Sequence, residues 1–409
     1  MSVNWETKYA HRLEWMSTSV IRDILKVAQS PDIISMAGGW PEAALFPLDQ
    51  FDELCHHVLH AMPREALQYG LTDGLPILRD AIAEQMTEVG MPANRDNIVI
   101  TSGSQQALDL IGRLMLDEGD TVLVESPTFV GALQAFNAYG PRYVTVPLDE
   151  HGLDVEALKQ VLAENQPKFM YLQPTFQNPT GFSLSLERRR RVVALAAEAG
   201  VPILEDDPYG QLRFAGAPMP TLAALDMEQY PENAAAGRYV KGNVIYLSTF
   251  SKTLAPGLRV AWAVAPAEIA NQFVMAKQGA DLQTNALAQA LAYEFLRRGL
   301  LPAQVARIRD TYLERRNAMV AAIQEFFPPE VKYSEPDGGL FLWLTLPEGL
   351  DTVPMVAEAA EHKVAFVPGA PFFANGGGQN TMRLSFASMS PEIIREGIQR
   401  LAGVVRSHL

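Results

Sequence analysis

The chain has 409 residues, 48% of them hydrophobic, which is enough for two or three domains at roughly 150 residues each. Asp and Glu outnumber Lys and Arg by 47 to 33, and the resulting net charge of −14 opposes an extended grip on nucleic-acid phosphates or an anionic bilayer. One cysteine, Cys55, excludes an intrachain disulfide and suits a reducing compartment.

Taken in chain order, the first residues, Met-Ser-Val-Asn-Trp-Glu-Thr-Lys, lack the apolar core of a signal peptide. No apolar run reaches the roughly 18 residues needed to span a bilayer, so a soluble, cytoplasmic protein is the expectation. An amphipathic helix is predicted over 19–29, followed by an extended Gly/Pro-rich stretch over 37–47. From residue 97 onward β-rich runs alternate with helical patterns. Strands are predicted at 97–101, 121–125, 142–147, 168–173, 202–206, 243–249 and 259–265, with helices at 105–116, 155–162 and 186–199. Near-continuous apolar strands separated by helices predict a mostly parallel sheet buried on both faces, a doubly wound α/β domain. After about residue 285 the pattern changes to long helices at 285–298 and 304–327. Strands at 331–334, 340–346, 364–367 and 382–386 and a last helix at 391–407 complete a smaller α+β domain.

In an open parallel sheet, ligands bind beyond the carboxyl ends of the strands. The first such end runs into Ser102-Gly103-Ser104-Gln105-Gln106 and a helix, either a phosphate-binding helix N-terminus or an ordinary serine cap. The strand at 168–173 ends in Pro174-Thr175-Phe176-Gln177-Asn178-Pro179-Thr180-Gly181, a rigid turn able to present an amide. The strand at 202–206 delivers Glu205-Asp206-Asp207-Pro208-Tyr209, where a carboxylate either caps a helix or holds a cationic group. The strand at 243–249 leads to Ser248-Thr249-Phe250-Ser251-Lys252, with Arg259 seven residues on. Of nine lysines, only Lys252 follows directly on a strand's carboxyl end, where burial would depress its pKa and make it nucleophilic. A lysine nucleophile, a phosphate cradle, a carboxylate and a phenol are together the parts of a pyridoxal-phosphate site.

Five motifs carry a resemblance to the fold-type I pyridoxal-phosphate-dependent aminotransferases, from about Ser19 to the C-terminus. They are Ser-Gly-Ser-Gln-Gln-Ala-Leu-Asp (102–109), Phe-Gln-Asn-Pro-Thr-Gly (176–181), Glu-Asp-Asp-Pro-Tyr (205–209), Ser-Thr-Phe-Ser-Lys (248–252) with Gly-Leu-Arg (257–259), and Met-Arg-Leu-Ser-Phe (382–386). Within that superfamily the chain is most similar to the 2-aminoadipate and kynurenine aminotransferase subgroup. The resemblance implies that Lys252 binds the cofactor and, once displaced, moves a proton between the substrate Cα and C4′. It implies that Asp206 pairs with the pyridine nitrogen, Asp207 being the rival, and that Tyr209 and Asn178 hydrogen-bond the 3′ oxygen. Ser104, Gln105, Thr249, Ser251 and Arg259 would hold the phosphate, with Tyr69 reaching it from the other subunit of a homodimer. Phe129 would stack on the ring, and Arg383 would take the substrate α-carboxylate.

The segment around Arg22 resembles the helix that closes the site in this subgroup, where the matching arginine pairs with an acidic side chain. Small residues at Gly38 and Gly39 would let the backbone approach substrate, and Trp40, bulkier than usual there, would reshape the pocket. The division implied is an N-terminal segment over 1–48 joining the small domain, a cofactor-binding domain over 49–285, and a small domain over 286–409. The expected activity moves an α-amino group from 2-aminoadipate, glutamate, aromatic or large aliphatic donors to a 2-oxo acid, by default 2-oxoglutarate, in a ping-pong cycle. A lyase or decarboxylase on the same scaffold, or a ligand-sensing domain, are the alternatives. No metal is expected: His56, His57 and His60 lack a completing ligand set, and Arg188 to Arg191 read as surface charge.

Overall fold

The structure is a computed structural model that describes residues 2–16, 30 and 32–409. The helix expected at 19–29, with Arg22, lies outside the described residues.

Among the described residues the fourteen strands are β1 Ile34–Ser35, β2 Ile98–Thr101, β3 Thr121–Ser126, β4 Arg142–Asp149, β5 Gly152–Leu153, β6 Phe169–Leu172, β7 Ile203–Asp206, β8 Val244–Thr249, β9 Ala261–Val264, β10 Lys332–Tyr333, β11 Phe341–Thr345, β12 Val364–Ala365, β13 Val367–Pro368 and β14 Thr381–Ser385. The large sheet has eight strands in the order β2-β9-β8-β7-β6-β3-β4-β5. Neighbours β8-β7-β6-β3-β4 are parallel, while β9 runs antiparallel to both β2 and β8. The exits of β2, β3, β6, β7 and β8 therefore share one edge.

Period-2 alternation divides the apolar runs between two cores. Ile98, Ile100, Leu123, Met170, Ile203 and Val244 pack on one face, under helices that include Leu186–Ala199 and Ala286–Arg297. Val99, Val122, Val124, Tyr171, Leu204 and Leu247 pack on the other, against Ser104–Met115, Val130–Asn137 and Ala267–Gln278.

A second, four-stranded sheet in the order β10-β11-β14-β13 is antiparallel throughout. With helices Leu301–Phe326 and Pro391–Ser407 it forms a separate core that takes in Met36 and flanking Ile34 and Leu45. The packing differs from the sequence division at two places. Helix Ala286–Arg297 buries Ala288, Leu291 and Phe295 in the large-sheet core, and the change of core falls inside Leu301–Phe326, between Val305 and Ile308. At the N-terminus, the Trp15 ring lies against Gly140 on the large-sheet side.

Candidate active site

At the exit of β2, Gly103 takes the helix N-cap position at φ 81°, a conformation that glycine adopts without strain. A Cβ there would run into the Arg259 guanidinium, so guanidinium and backbone meet only because the residue is glycine. Ser104 is the first helical residue rather than the cap, and its buried hydroxyl has no partner. Arg259 donates from Nη2 to Ser102 O at 3.3 Å. Across the edge, the Thr249 and Ser251 hydroxyls are 2.8 Å apart, and Gln105 Nε2 is anchored on Gly131 O at 2.7 Å. First-turn N–H groups, hydroxyls and a guanidinium facing one hollow suit a phosphate dianion.

The pleat separates the three consecutive carboxylates at the end of β7, Glu205, Asp206 and Asp207. Glu205 turns to the helix face and accepts from the Leu222 and Ala223 amides, both at 2.8 Å. Asp207 closes a turn, accepting from Gly210 N at 2.8 Å and the Tyr246 hydroxyl at 3.1 Å. Asp206 alone faces the cavity. Its Oδ2 accepts from the Tyr171 hydroxyl at 2.8 Å and from Gln173 Nε2 at 2.9 Å, while Oδ1 is buried without a partner. Burial raises its pKa to about 6, against the two hydrogen bonds that favour the anion. A bare carboxylate oxygen held this way fits a protonated ring nitrogen.

Lys252 lies on the turn after β8 and donates from Nζ to Gly39 O at 2.9 Å. Desolvation, then the like charges of Arg383 and Arg259, lower its pKa to about 8, so a neutral, nucleophilic amine is accessible near neutrality. On β14, Arg383 is 5% exposed and donates to Asn178 Oδ1 at 2.8 Å and Ala37 O at 2.9 Å, yet its Nε has no partner. Phe341 and Phe372 flank the guanidinium, with ring centroids 4.2 and 5.2 Å from Cζ. Tyr209 is buried edge-on to Phe341 at 6.1 Å, and desolvation raises its hydroxyl.

One cavity of about 500 Å³ collects these groups. Of the expected residues, Gly39, Ser104, Gln105, Phe129, Asn178 and Asp206 line it. So do Tyr209, Thr249, Ser251, Lys252, Arg259 and Arg383. Tyr69 does not line it, and 79% of its surface is exposed. Sequence reasoning missed Tyr171 and Gln173, which hold Asp206, and the aromatic pair around Arg383. It also placed Arg189 on the surface. Arg189 is fully buried and donates to Pro174 O at 2.7 Å, Thr175 Oγ1 at 2.8 Å, Leu184 O at 3.0 Å and Pro220 O at 3.1 Å, fixing the turn that presents Asn178.

Ser104 Oγ, Asp206 Oδ1 and Arg383 Nε are thus three unpartnered buried polar atoms in one cavity with a lysine of depressed pKa, complementary to a phosphate, a ring nitrogen and a carboxylate. Residues 46–401 match the family described as aminotransferase class I and II. The chain belongs to that family.

Over 414 residues it is 42% identical to the aromatic-amino-acid aminotransferase 1 of Thermococcus litoralis, covering 100% of this chain and 96% of the relative. Its fold is similar to that of LysN, the α-aminoadipate aminotransferase of Thermus thermophilus complexed with N-(5′-phosphopyridoxyl)-L-leucine. There the TM-score is 0.90, with 43% identity and 99% of each chain covered. It is also similar to the Pyrococcus horikoshii kynurenine aminotransferase, solved with PMP. That match has a TM-score of 0.93 and 41% identity, covering 99% of this chain and 98% of the other. This aminotransferase is therefore a pyridoxal-phosphate-dependent transaminase of fold type I. Among the described residues, no helix is long and apolar enough to cross a membrane.

Proposed function

We propose that this aminotransferase takes α-amino acids with aromatic or large aliphatic side chains, and 2-aminoadipate or glutamate, and passes the amino group to a 2-oxo acid, by default 2-oxoglutarate. The carrying observation is Arg383, a buried guanidinium between two aromatic rings with Nε unpartnered in the same cavity as Lys252. A carboxylate is the ligand that such a fork matches, and every α-amino acid and 2-oxo acid has one.

When bound, pyridoxal phosphate supplies an electron sink for the carbanion formed at the substrate Cα. The chain supplies the rest. The Ser104, Gln105, Thr249, Ser251 and Arg259 groups anchor the phosphate, and Asp206 holds a proton on the ring nitrogen. Asn178 and Tyr209 orient the 3′ oxygen, and Phe129 packs against the ring. Arg383 fixes the carboxylate so that the Cα–H is presented to Lys252, whose neutral amine takes that proton and returns it at C4′.

For the substrate side chain, the described cavity offers Trp40, Val130 and Phe341 as apolar walls. Its described cations are Lys252, Arg259 and Arg383, all engaged by the roles above. Apolar donors follow from the walls, and acidic donors depend on Arg22. Glycine at 39 is required because a Cβ there would press on the Phe341 ring at 2.9 Å. The working unit is a cytoplasmic homodimer in which exposed Tyr69 reaches the partner's phosphate site.

The test is a donor screen with leucine, phenylalanine, kynurenine, 2-aminoadipate and glutamate, repeated on Arg22→Ala. Stoichiometric 2-oxo acid from each donor, with only the acidic donors lost in the variant, supports the reading. Carbon dioxide as the catalytic product, or uniform loss across donors, overturns the reaction or the Arg22 assignment respectively. Lys252→Ala should abolish the absorbance band that requires cofactor linked to the lysine, together with turnover. Sedimentation gives the assembly state, and Tyr69→Phe should weaken cofactor binding without dissociating the dimer.

A further inference from the structure

Asp206 and Arg383 belong to different sheets, yet one buried side chain stands between their partners. Gln173 Nε2 donates to Asp206 Oδ2 at 2.9 Å, and Gln173 Oε1 accepts from the Asn178 main-chain N–H at 3.0 Å. Asn178 Oδ1 in turn accepts from Arg383 Nη1 at 2.8 Å. The Gln173 main-chain N–H donates to Glu125 Oε2 at 3.0 Å, and Gln177 Nε2 reaches the same oxygen at 3.4 Å. Gln173 and Glu125 are each 2% exposed, so water does not substitute for these contacts. The amide orientation is fixed by its neighbours. Turned over, Gln173 would set its oxygen against a carboxylate and its NH₂ against an N–H.

We propose that Gln173 is a positioning residue that couples the carboxylate facing the cofactor ring to the arginine that receives the substrate carboxylate, with Glu125 holding its main chain. The inference rests on the assignment of Asp206 and Arg383 in the preceding section. Gln173 lines the cavity, but its side-chain nitrogen and oxygen are taken up by Asp206 and Asn178. It acts by setting the rotamer of Asp206 and the position of the Asn178 turn, so a shift at either end is felt at the other. Glu125 extends the network behind Gln173, and burial raises its pKa to about 8. The other titratable groups around Asp206 are Asp207, Tyr171 and Tyr209.

The experiment uses Gln173→Met, which keeps length and removes both hydrogen bonds. Cofactor affinity is measured by equilibrium dialysis and the pH midpoint of bound-cofactor absorbance by titration. Loss of a buried hydrogen bond to a charged group predicts a cofactor Kd about tenfold or more higher. The absorbance midpoint should shift, and KM effects of Gln173→Met and Arg383→Lys should combine to less than their product. If Gln173→Met does not fold, Gln173→Glu keeps the main-chain contact and sets an acceptor against Asp206, which should also displace the midpoint. A Kd and midpoint matching those of the parent in whichever variant folds would overturn the proposal. Asp206→Asn separates the two readings. If it too leaves both unchanged, the Asp206 assignment fails; if it moves them and the Gln173 variants do not, only the coupling fails.

Discussion

Asn178 Oδ1 and Arg383 Nη1 are 2.8 Å apart, so the amide assigned to the cofactor oxygen also holds the arginine assigned to the substrate carboxylate. On those assignments, one side chain would set the separation of cofactor and substrate. With the guanidinium anchored on Asn178 and Ala37, only a narrow range of carboxylate positions remains open.

Arg383→Lys keeps a positive charge and loses the planar fork. KM for amino donors should rise about tenfold to a hundredfold, the cost of a charge-assisted hydrogen bond, while bound-cofactor absorbance persists. Steady-state kinetics with a spectrum of the same preparation checks this. An unchanged KM would place substrate recognition elsewhere.

Apoenzyme stability should depend on pH through Lys252, whose pKa falls from 10.5 unfolded to about 8 folded. Between those values the unfolded chain holds a proton that the folded chain does not, so stability rises with pH across the window. Below it, the protonated amine in the folded state costs about 1–3 kcal/mol. Apo Lys252→Met should therefore melt above the parent at about pH 7, with the gap closing toward about pH 10. A gap independent of pH in thermal melts contradicts the depressed pKa.

Gly103→Ala adds one methyl group at φ 81°, against the Arg259 guanidinium. Left-handed strain of about 1–2 kcal/mol and displacement of Arg259 should lower the melting temperature and weaken binding of inorganic phosphate to the apoenzyme. Calorimetry and phosphate titration together read both effects.

Glu205→Ala leaves the Leu222 and Ala223 amides without their acceptor. A loss of about 2–4 kcal/mol is expected in denaturant unfolding, since two buried donors are orphaned. The spectrum of bound cofactor should stay as in the parent, in contrast to Asp206→Asn, because the two adjacent carboxylates face opposite sides of the sheet.

The large sheet was legible because its strands are continuous apolar runs, and the cavity because its residues follow strand ends. The choice among Glu205, Asp206 and Asp207 was also within reach. Alternate strand residues point to opposite faces, so Ile203 and Glu205 share one side and Leu204 and Asp206 the other. Arg189 was misread because a run of four arginines on a helix looks solvated, whereas its partners Pro174, Leu184 and Pro220 are main-chain carbonyls with no sequence mark. Gln173 was hidden for a related reason, as its contacts cross from β6 to β7 and to a turn. The boundary at 285 followed a change of composition, while helix Ala286–Arg297 goes where its alanine and leucine face fits. Tyr69 is exposed and outside its own chain's cavity, and only the family resemblance gave it a destination.

Helix Leu301–Phe326 begins among the side chains of the large sheet and ends among those of the small one. It works as a beam clamped at both ends, with the single turn between Val305 and Ile308 as its only span not owned by one clamp or the other. A rotation of one core against the other would have to bend the helix at that turn. Lys252 follows a strand of the core where the helix begins and Arg383 lies on a strand of the core where it ends, so their separation is tied to the shape of that one turn.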